Sequence, residues 1–318
     1  MLRRAGKIEQ APAALEKAKN YNIKTKHLPG FHYCTGLLRW HENKVTDAIN
    51  ALNRARTDGE WGIYAWIKMV EIYLNPDKDN LWEETQMTHV SKEHLKTTKK
   101  LLENKPNLPR GLSSLQVMEL EMKIDVLQAY ALIASKSKES LEKACVSLLA
   151  ILESDKEYVP ALLGLSIAYM LLKQPSKARN QLKRIVTMVY DPSVGEEFET
   201  SYLLLADSYI ENAKYDLAQK LCKRALQHNK SSGKAWTSLG LIMEKEASYQ
   251  DAAESYEAAW KCEGETSAAV GFKLAYNYLK ASRFVEAIEV GDKVLRHHPD
   301  YLVIQTEIME KAYEGLRP

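Results

Sequence analysis

Few side chains in this sequence have the types and spacing that chemistry requires. His89 and His94 are five residues apart, so they share no helix face and do not form the H-E-x-x-H pattern of a zinc protease. Cys222 has no neighbouring histidine and no C-x-x-C partner, which a reactive thiol of low pKa would need. We therefore expect solvated histidines, a cysteine that packs in the core, and no metal or cofactor.

Two short strings resemble functional motifs but fit a structural role better. His298-Pro299-Asp300 is the tripeptide with which J-domain co-chaperones stimulate their partner chaperone, yet Pro299 also falls where a helix is expected to end. Gly233-Lys234 lacks the earlier glycine and the preceding strand that a phosphate-binding loop requires. The sequence therefore shows no catalytic constellation, and we predict that the chain is not an enzyme and takes no small-molecule substrate.

Composition excludes several further classes of function. The 318 residues are 45% hydrophobic with only 14 Gly and 10 Pro, which favours helices. Lys plus Arg total 44 and Asp plus Glu total 42, so the net charge of +2 provides no electrostatic footprint for nucleic acid. No apolar run approaches the roughly 20 residues of a membrane span, and the first ten residues lack a signal-peptide core. We predict no membrane insertion and a cytoplasmic location.

A repeat of two amphipathic helices organises the chain. Residues 235–260 place Trp236, Leu239 and Gly240 on one helix face, and Ala252, Tyr256 and Ala259 on a second. This is the tetratricopeptide signature, whose period is about 34 residues. One period upstream the same positions hold Tyr202, Leu205, Ala206, Tyr209, Ala218 and Ala225, and one period downstream they hold Leu274, Ala275, Tyr278, Ala287 and Pro299.

The period predicts an all-α fold, a tetratricopeptide-repeat right-handed superhelical solenoid in which stacked helix pairs share one core. The predicted divisions are a partial repeat at 1–28 and two repeats at 29–106, with an irregular loop near 75–94. An atypical repeat with a long first helix follows at 107–158, then four repeats at 159–301 and a capping helix at 302–318. The signature aromatic residues are predicted to be core residues rather than peptide anchors; they are Tyr202, Trp236, Tyr256 and Tyr278.

The carboxylate clamp of tetratricopeptide co-chaperones is mostly missing. The matching positions on successive first helices are Leu203, Asp207, Ser238, Ala269 and Lys273. Only Lys273 suits the role, and Asp207 would repel an incoming carboxylate. A cytosolic co-chaperone or peptide-binding adaptor stays open as the alternative function, as does a regulatory repeat domain attached to an enzyme.

Specific strings carry a family resemblance. They are "VPALLGLSIAYMLLKQPSKARNQLKRI" at 159–185, "EEFETSYLLLADSYIENAKYDLAQKLCKRAL" at 196–226, "GLIMEKEASYQDAAESYEAAWK" at 240–261 and "AVGFKLAYNYLKASRFVEAIEV" at 269–290. With "LRRAGKIEQAP", "PGFHYCTGL" and the final "GLRP", the whole chain resembles the C-terminal region of the tetratricopeptide repeat protein 21 family. That family supplies the all-repeat subunit of intraflagellar transport complex A.

The resemblance implies a non-catalytic scaffold in retrograde ciliary transport and in the entry of cargo into cilia. It implies a location in the cytoplasm and in the cilium, at the axoneme and the basal body. The implied partners are other complex A subunits, built from β-propellers followed by helical repeats. Our candidate partner-binding residues are polar side chains of the first helices and the inter-repeat turns: Asp207, Lys234, Lys273, Asn277 and Lys280.

Overall fold

The computed structural model describes residues 2–75 and 92–317, and within these ranges every regular element is a helix. The predicted all-α class is therefore confirmed. The chain divides into two compact units, Glu9–Val189 and a second one made of Met1–Ile8 with Tyr190–Pro318.

The first unit contains nine of the α-helices. They are α1 (Ala11–Tyr21), α2 (Pro29–His41), α3 (Val45–Ala55), α4 (Gly62–Leu74), α5 (Lys92–Glu103), α6 (Ser114–Ile133), α7 (Lys138–Ser154), α8 (Val159–Leu171) and α9 (Pro175–Thr187). From α2 to α9, each helix packs against the next helix in the chain. Consecutive antiparallel stacking is the arrangement of a helical-repeat solenoid.

The second unit continues the same pattern. Its helices are α10 (Gly195–Glu211), α11 (Tyr215–His228), α12 (Gly233–Lys245), α13 (Tyr249–Cys262), α14 (Ala268–Lys280), α15 (Phe284–His297) and α16 (Glu310–Leu316). Each again packs against the next helix, and α10 also contacts α12. The first helices of these two pairs therefore lie side by side.

Local sequence determines where several helices begin. Ser113 and Gln116 form a reciprocal capping box at the start of α6. The side chains of Ser137 and Ser232 accept hydrogen bonds from backbone N–H groups in the first turns of α7 and α12. The Gly233-Lys234 string is therefore the first turn of α12, with Ser232 as its N-cap.

Six described turns, those that follow α2, α6, α8, α10, α12 and α14, use a residue in the left-handed backbone region. These residues have φ between +52° and +60°, and none is glycine: Asn43, Lys136, Lys173, Ala213, Ala247 and Ser282. In the α12–α13 turn, the N–H of Ser248 donates to the carbonyl of Met243 at 2.9 Å, and Lys214 makes the equivalent bond to Tyr209 in the α10–α11 turn. These bonds satisfy carbonyls at the end of the first helix and reverse the chain.

Trp66 is the largest fully buried side chain of the first unit. It is 0% exposed, and its Nε1–H donates to the carbonyl oxygen of Leu101 at 2.9 Å. A buried indole N–H needs such an acceptor. Trp66 thus joins α4 to α5 within one core that also contains Leu52, Ile63 and Ile72.

Close helix crossings shape the core of the second unit. A Cβ atom on Gly240 would lie 2.9 Å from the ring of Tyr256, so only glycine lets α12 approach α13 this closely. Tyr202 and Tyr256 are 0% exposed and Tyr278 is 4% exposed, which confirms their predicted core role. Trp236 differs, because it is only partly buried against this core while its Nε1–H donates to the carbonyl of Lys230 at 3.3 Å.

The last segment covers the outer face of α15. A π-helical turn at Gln305–Met309 leads into α16, and Ile304, Ile308 and Ala312 are 0% exposed. His298 is the C-cap residue that follows α15, and its Nε2 lies 2.7 Å from the carbonyl oxygen of Thr266. The His298-Pro299-Asp300 string thus forms the turn that ends a helix pair.

Most of the loop predicted near 75–94 lies outside the described residues, and so does His89. Residues 92–94 are the first residues of α5. His94 therefore belongs to a helix rather than to a loop, and its ring centroid lies 5.7 Å from that of Tyr73. The expectation that His94 is a fully solvated loop residue is wrong.

Gly240→Leu is expected to lower the free energy of unfolding by roughly 1–3 kcal/mol, because the new side chain must displace the buried Tyr256 ring. Denaturant titration followed by circular dichroism measures the change. Gly59→Leu is the matched control, since no atom lies within 4 Å of a Cβ there. Equal effects of the two substitutions would contradict the close crossing.

Ala247→Gly is expected to raise the free energy of unfolding by about 0.5–1 kcal/mol. An alanine in the left-handed region is strained, and glycine removes that strain at a smaller entropic cost. The control is Ala150→Gly on the exposed face of α7, which is expected to lower stability by about 0.5–1 kcal/mol. The same denaturant titration tests both variants, and a loss of stability in Ala247→Gly would show that the turn is not strained.

Candidate partner-binding surface

Three first helices, α10, α12 and α14, carry the five predicted partner-binding residues. Asp207 lies on α10, Lys234 lies in the first turn of α12, and Lys273, Asn277 and Lys280 lie on α14. Their exposure differs widely. Lys234 and Lys280 are exposed, Asp207 and Lys273 are half-buried, and Asn277 is 0% exposed.

The structure brings together Lys273 and Asn277 in one polar cluster with Glu244 and Tyr256. The Tyr256 hydroxyl donates to Glu244 Oε2 at 2.9 Å, and Asn277 Nδ2 donates to the same oxygen at 3.4 Å. Asn277 Nδ2 also donates to the carbonyl of Lys273 at 2.8 Å. The cluster, which we call the Glu244 cluster, therefore joins α12, α13 and α14.

Lys273 supplies the positive charge of the Glu244 cluster. Its Nζ lies 3.5 Å from the Tyr256 hydroxyl and 5.5 Å from the centroid of the Tyr256 ring. A cation near a ring face is attracted by the electron density of the ring. Since Lys273 is only half-buried, it keeps part of its surface available to a partner.

Asn277 has a structural role that removes it from the accessible candidates. Its side chain is fully buried, and both bonds of Nδ2 go to residues of α12 and α14. No described residue donates to its Oδ1. Asn277 is a candidate because it is a polar residue of a first helix, but the neighbouring pair covers its side chain.

Glu244 and the hydroxyl of Tyr256 are the members of the cluster that sequence reasoning did not identify. Tyr256 was recognised only as a core residue, and nothing in its spacing indicates that its hydroxyl reaches a carboxylate. Burial, and then the negative charge of Glu244, raise the pKa of Tyr256 well above its usual range. Tyr256 is therefore neutral near pH 7 and acts as a donor, not as a base.

The other three candidates, Asp207, Lys234 and Lys280, lie on three different helices. Lys280 is the last residue of α14, and its Nζ lies 5.5 Å from the centroid of the Tyr276 ring. Asp207 lies near Cys222, whose pKa is raised to about 12 by burial and, to a smaller extent, by the Asp207 charge. A thiol of that pKa that is 0% exposed is a packing residue, as expected from the sequence.

The chemistry of this surface is recognition by hydrogen bonds and charge. Within the described residues, no three His, Cys, Asp or Glu side chains are arranged to hold a metal ion. In the same part of the chain, no helix combines the length and the apolar character needed to cross a membrane. What the surface offers is a set of lysines and half-buried polar groups on rigid, adjacent helices.

Alkaline pH is expected to destabilise the second unit through its buried tyrosines. Burial and the nearby Glu257 carboxylate raise the pKa of Tyr278 to about 12, whereas tyrosine in an unfolded chain titrates near 10. The free energy of unfolding keeps this contribution in full below pH 10 and loses it as the pH rises towards 12. For each such tyrosine the loss is up to about 1.4 kcal/mol per pH unit. Denaturant titrations between pH 9 and 11.5 measure this loss, with the pH range set by the reference and shifted pKa values.

Tyr278→Phe is expected to lose less stability than the unsubstituted chain over that pH range. Tyr21→Phe is the control, because Tyr21 is 94% exposed and its substitution should leave the pH dependence unchanged. Parallel curves for all three proteins would contradict the buried position of the Tyr278 hydroxyl.

Comparison with known sequences identifies the family. Residues 97–313 match the tetratricopeptide repeat protein 21 C-terminal ARM domain, and residues 1–74 match the fifth ARM repeats domain of the same family. The chain is 45% identical to tetratricopeptide repeat protein 21B of Mus musculus and 43% identical to protein 21A of Homo sapiens. All of this chain is covered in both cases, but it spans only 24% of each relative.

Among solved structures, the chain is similar to YrrB, described as a TPR protein with an unusual peptide-binding site. The TM-score is 0.46 and the identity 18%, over 61% of this chain and 96% of that one. The matches to the two relatives cover the whole of this chain and therefore both units. The chain belongs to the tetratricopeptide repeat protein 21 family and includes its C-terminal ARM domain.

Proposed function

We propose that this chain is a non-catalytic scaffold and forms the C-terminal part of an intraflagellar transport complex A subunit. In that role it acts in retrograde ciliary transport and in the entry of cargo into cilia. The observation that carries the proposal is the match of both family domains along the chain, together covering residues 1–74 and 97–313. The proposed location is the cytoplasm and the cilium, at its axoneme and basal body.

The stacked helices support a scaffold because they present side chains in a fixed arrangement. Partners bind such a surface without first having to order it, so several modest contacts can add up to a stable complex. We propose that the partners are the complex A subunits built from β-propellers and helical repeats. They would contact Lys234, Lys273 and Lys280 together with Asp207 on the first helices.

The structure weakens the alternative of a co-chaperone that grips a terminal carboxylate. Lys273 is the one clamp position that suits the role, and its ammonium group already lies beside the Tyr256 hydroxyl and near Glu244. Asn277 is buried and has its amide hydrogens directed to Glu244 and to the Lys273 carbonyl. A peptide carboxylate would thus meet a negatively charged Glu244 and Asp207 on the same helices.

Charge reversal of the exposed lysines tests the proposal. The chain, expressed with an affinity tag in ciliated cells, is expected to recover other complex A subunits, measured by quantitative mass spectrometry. Lys234→Glu with Lys280→Glu is expected to reduce that recovery about tenfold, because reversing charges that face a partner costs on the order of 1–2 kcal/mol.

The matched control is Lys220→Glu with Lys223→Glu, on the exposed face of α11. This control changes the net charge by the same amount, but on the second helix of a pair. It is expected to recover complex A subunits as well as the unsubstituted chain does. Recovery of chaperones without complex A subunits would contradict the proposed function. Equal losses in both double variants would leave the function standing but contradict an interface on the first helices.

A further inference from the structure

Residues 2–7 form a compact turn that carries two adjacent arginines. The N–H of Lys7 donates to the carbonyl of Leu2 at 2.9 Å, and the N–H of Gly6 donates to the carbonyl of Arg3 at 2.9 Å. Gly6 has φ +73°, a conformation that glycine adopts without strain. The 2–7 turn belongs to the same compact unit as Tyr190–Pro318.

Both arginines of the 2–7 turn bind one carboxylate at the start of α10. Arg3 donates to Glu196 Oε1, and Arg4 Nη2 donates to the same oxygen at 3.2 Å. Arg4 Nη1 also donates to the hydroxyl oxygen of Tyr190 at 2.6 Å. The two arginine side chains are only 23% and 24% exposed, although each carries a full charge.

The backbone of the turn is held as well as its side chains. The N–H of Lys230 donates to the carbonyl oxygen of Arg4 at 3.0 Å, which fixes the 2–7 turn against the α11–α12 connection. That connection is itself fixed, because Asn229 Nδ2 donates to Glu199 Oε2 at 2.8 Å. Main-chain and side-chain contacts therefore specify both the conformation and the position of the turn.

The surface opposite the turn is shaped for a guanidinium group. A Cβ atom on Gly195 would lie 1.8 Å from Arg4 Nη1 and 2.5 Å from the Tyr190 hydroxyl, so Arg4 occupies space that any other residue would fill. The Tyr190 ring is positioned by stacking on His228, with centroids 3.6 Å apart and planes 8° from parallel. A planar guanidinium with several N–H donors fits such a site better than an ammonium does.

We propose that Tyr190, Gly195, Glu196 and the Lys230 amide form a binding site for a turn with two adjacent arginines, and that residues 2–7 occupy it. We call it the arginine site. Because the site recognises the two guanidinium groups, a separate peptide with the sequence of residues 2–7 is expected to bind it when the turn no longer does. The arginine site lies on the α10 start and the α11–α12 connection and involves none of the five candidate partner-binding residues, so its failure would not affect the proposed scaffold function.

Hydrogen exchange at the Lys230 amide tests whether the 2–7 turn occupies the site. Arg3→Ala with Arg4→Ala is expected to speed exchange at this amide about tenfold, since the turn loses its charged contacts. Gly195→Ala is expected to do the same. Its backbone, at φ −66° and ψ −21°, accepts alanine, and the clash falls on the ends of the Arg4 and Tyr190 side chains.

Lys17→Ala with Lys24→Ala is the matched control for charge. Both lysines are exposed, and the pair changes the net charge by the same amount as the arginine pair. This control is expected to leave exchange at Lys230 unchanged. Light scattering accompanies the measurement, and a dimer that disappears in the arginine variant would show that the turn binds a second copy, which would overturn occupation within one chain.

A labelled peptide with the sequence of residues 2–7 tests the site in trans. Fluorescence anisotropy is expected to show saturable binding to the Arg3→Ala, Arg4→Ala chain, and at least about tenfold weaker binding to the unsubstituted chain, whose site is occupied. Adding Gly195→Ala is expected to weaken binding to the vacated site by about tenfold or more. A peptide with lysine in place of both arginines is expected to bind about tenfold more weakly.

Besides that dimer, two results would overturn the proposal. One is unchanged exchange at Lys230 in both the arginine variant and Gly195→Ala, which would mean that residues 2–7 are not bound there. The other is peptide binding that is absent up to about 5 mM, or that Gly195→Ala does not reduce. Because Gly195→Ala adds a helix-favouring residue, circular dichroism is expected to show that this variant folds normally.

Discussion

Each helix of this chain has an apolar face that only neighbouring helices can bury. Small residues at the crossings make that burial close: Ala218, Ala252, Ala259 and Ala287 are all 0% exposed. Larger residues fill the spaces that the small ones leave, as the Tyr256 ring does above Gly240. Stability in such a fold is approximately the sum of terms within pairs and between nearest neighbours, so every surface described above depends on this stacking.

The same stacking decides how polar residues are used. Glu244, Tyr256 and Asn277 come from three different helices, and they meet only because α12, α13 and α14 are packed at short range. A buried hydroxyl or amide donor needs an acceptor, and here the Glu244 carboxylate of α12 accepts from groups of α13 and α14. The Glu244 cluster therefore fixes the register between two helix pairs and also places Lys273 where a partner can reach part of it.

Periodicity in the sequence predicts the helices and much of the core, because the spacing of Leu239, Gly240, Ala252 and Tyr256 reports local packing directly. It does not predict exposure at the ends of that pattern. Trp236 holds a signature position yet is only partly buried, and Asn277 is a polar residue of a first helix yet is fully buried. The sequence also does not predict the left-handed turns, because Ala213 and Ala247 occupy them in place of the glycine or asparagine that usually marks such a turn.

Contacts between distant segments leave no periodic signal in the sequence. The hydrogen bond between Arg4 and Tyr190, for example, spans 186 residues.

That separation has a consequence for synthesis on the ribosome. At about 5–20 residues per second, roughly 10–40 s pass between the emergence of Arg4 and that of Tyr190. Over this interval the nine helices of Glu9–Val189 emerge, while the two arginines still have no carboxylate of their own unit to bind. The order of translation therefore keeps the arginine pair without its native carboxylate until α10 has been made, so the 2–7 turn can take its place only after the whole of Glu9–Val189 has emerged.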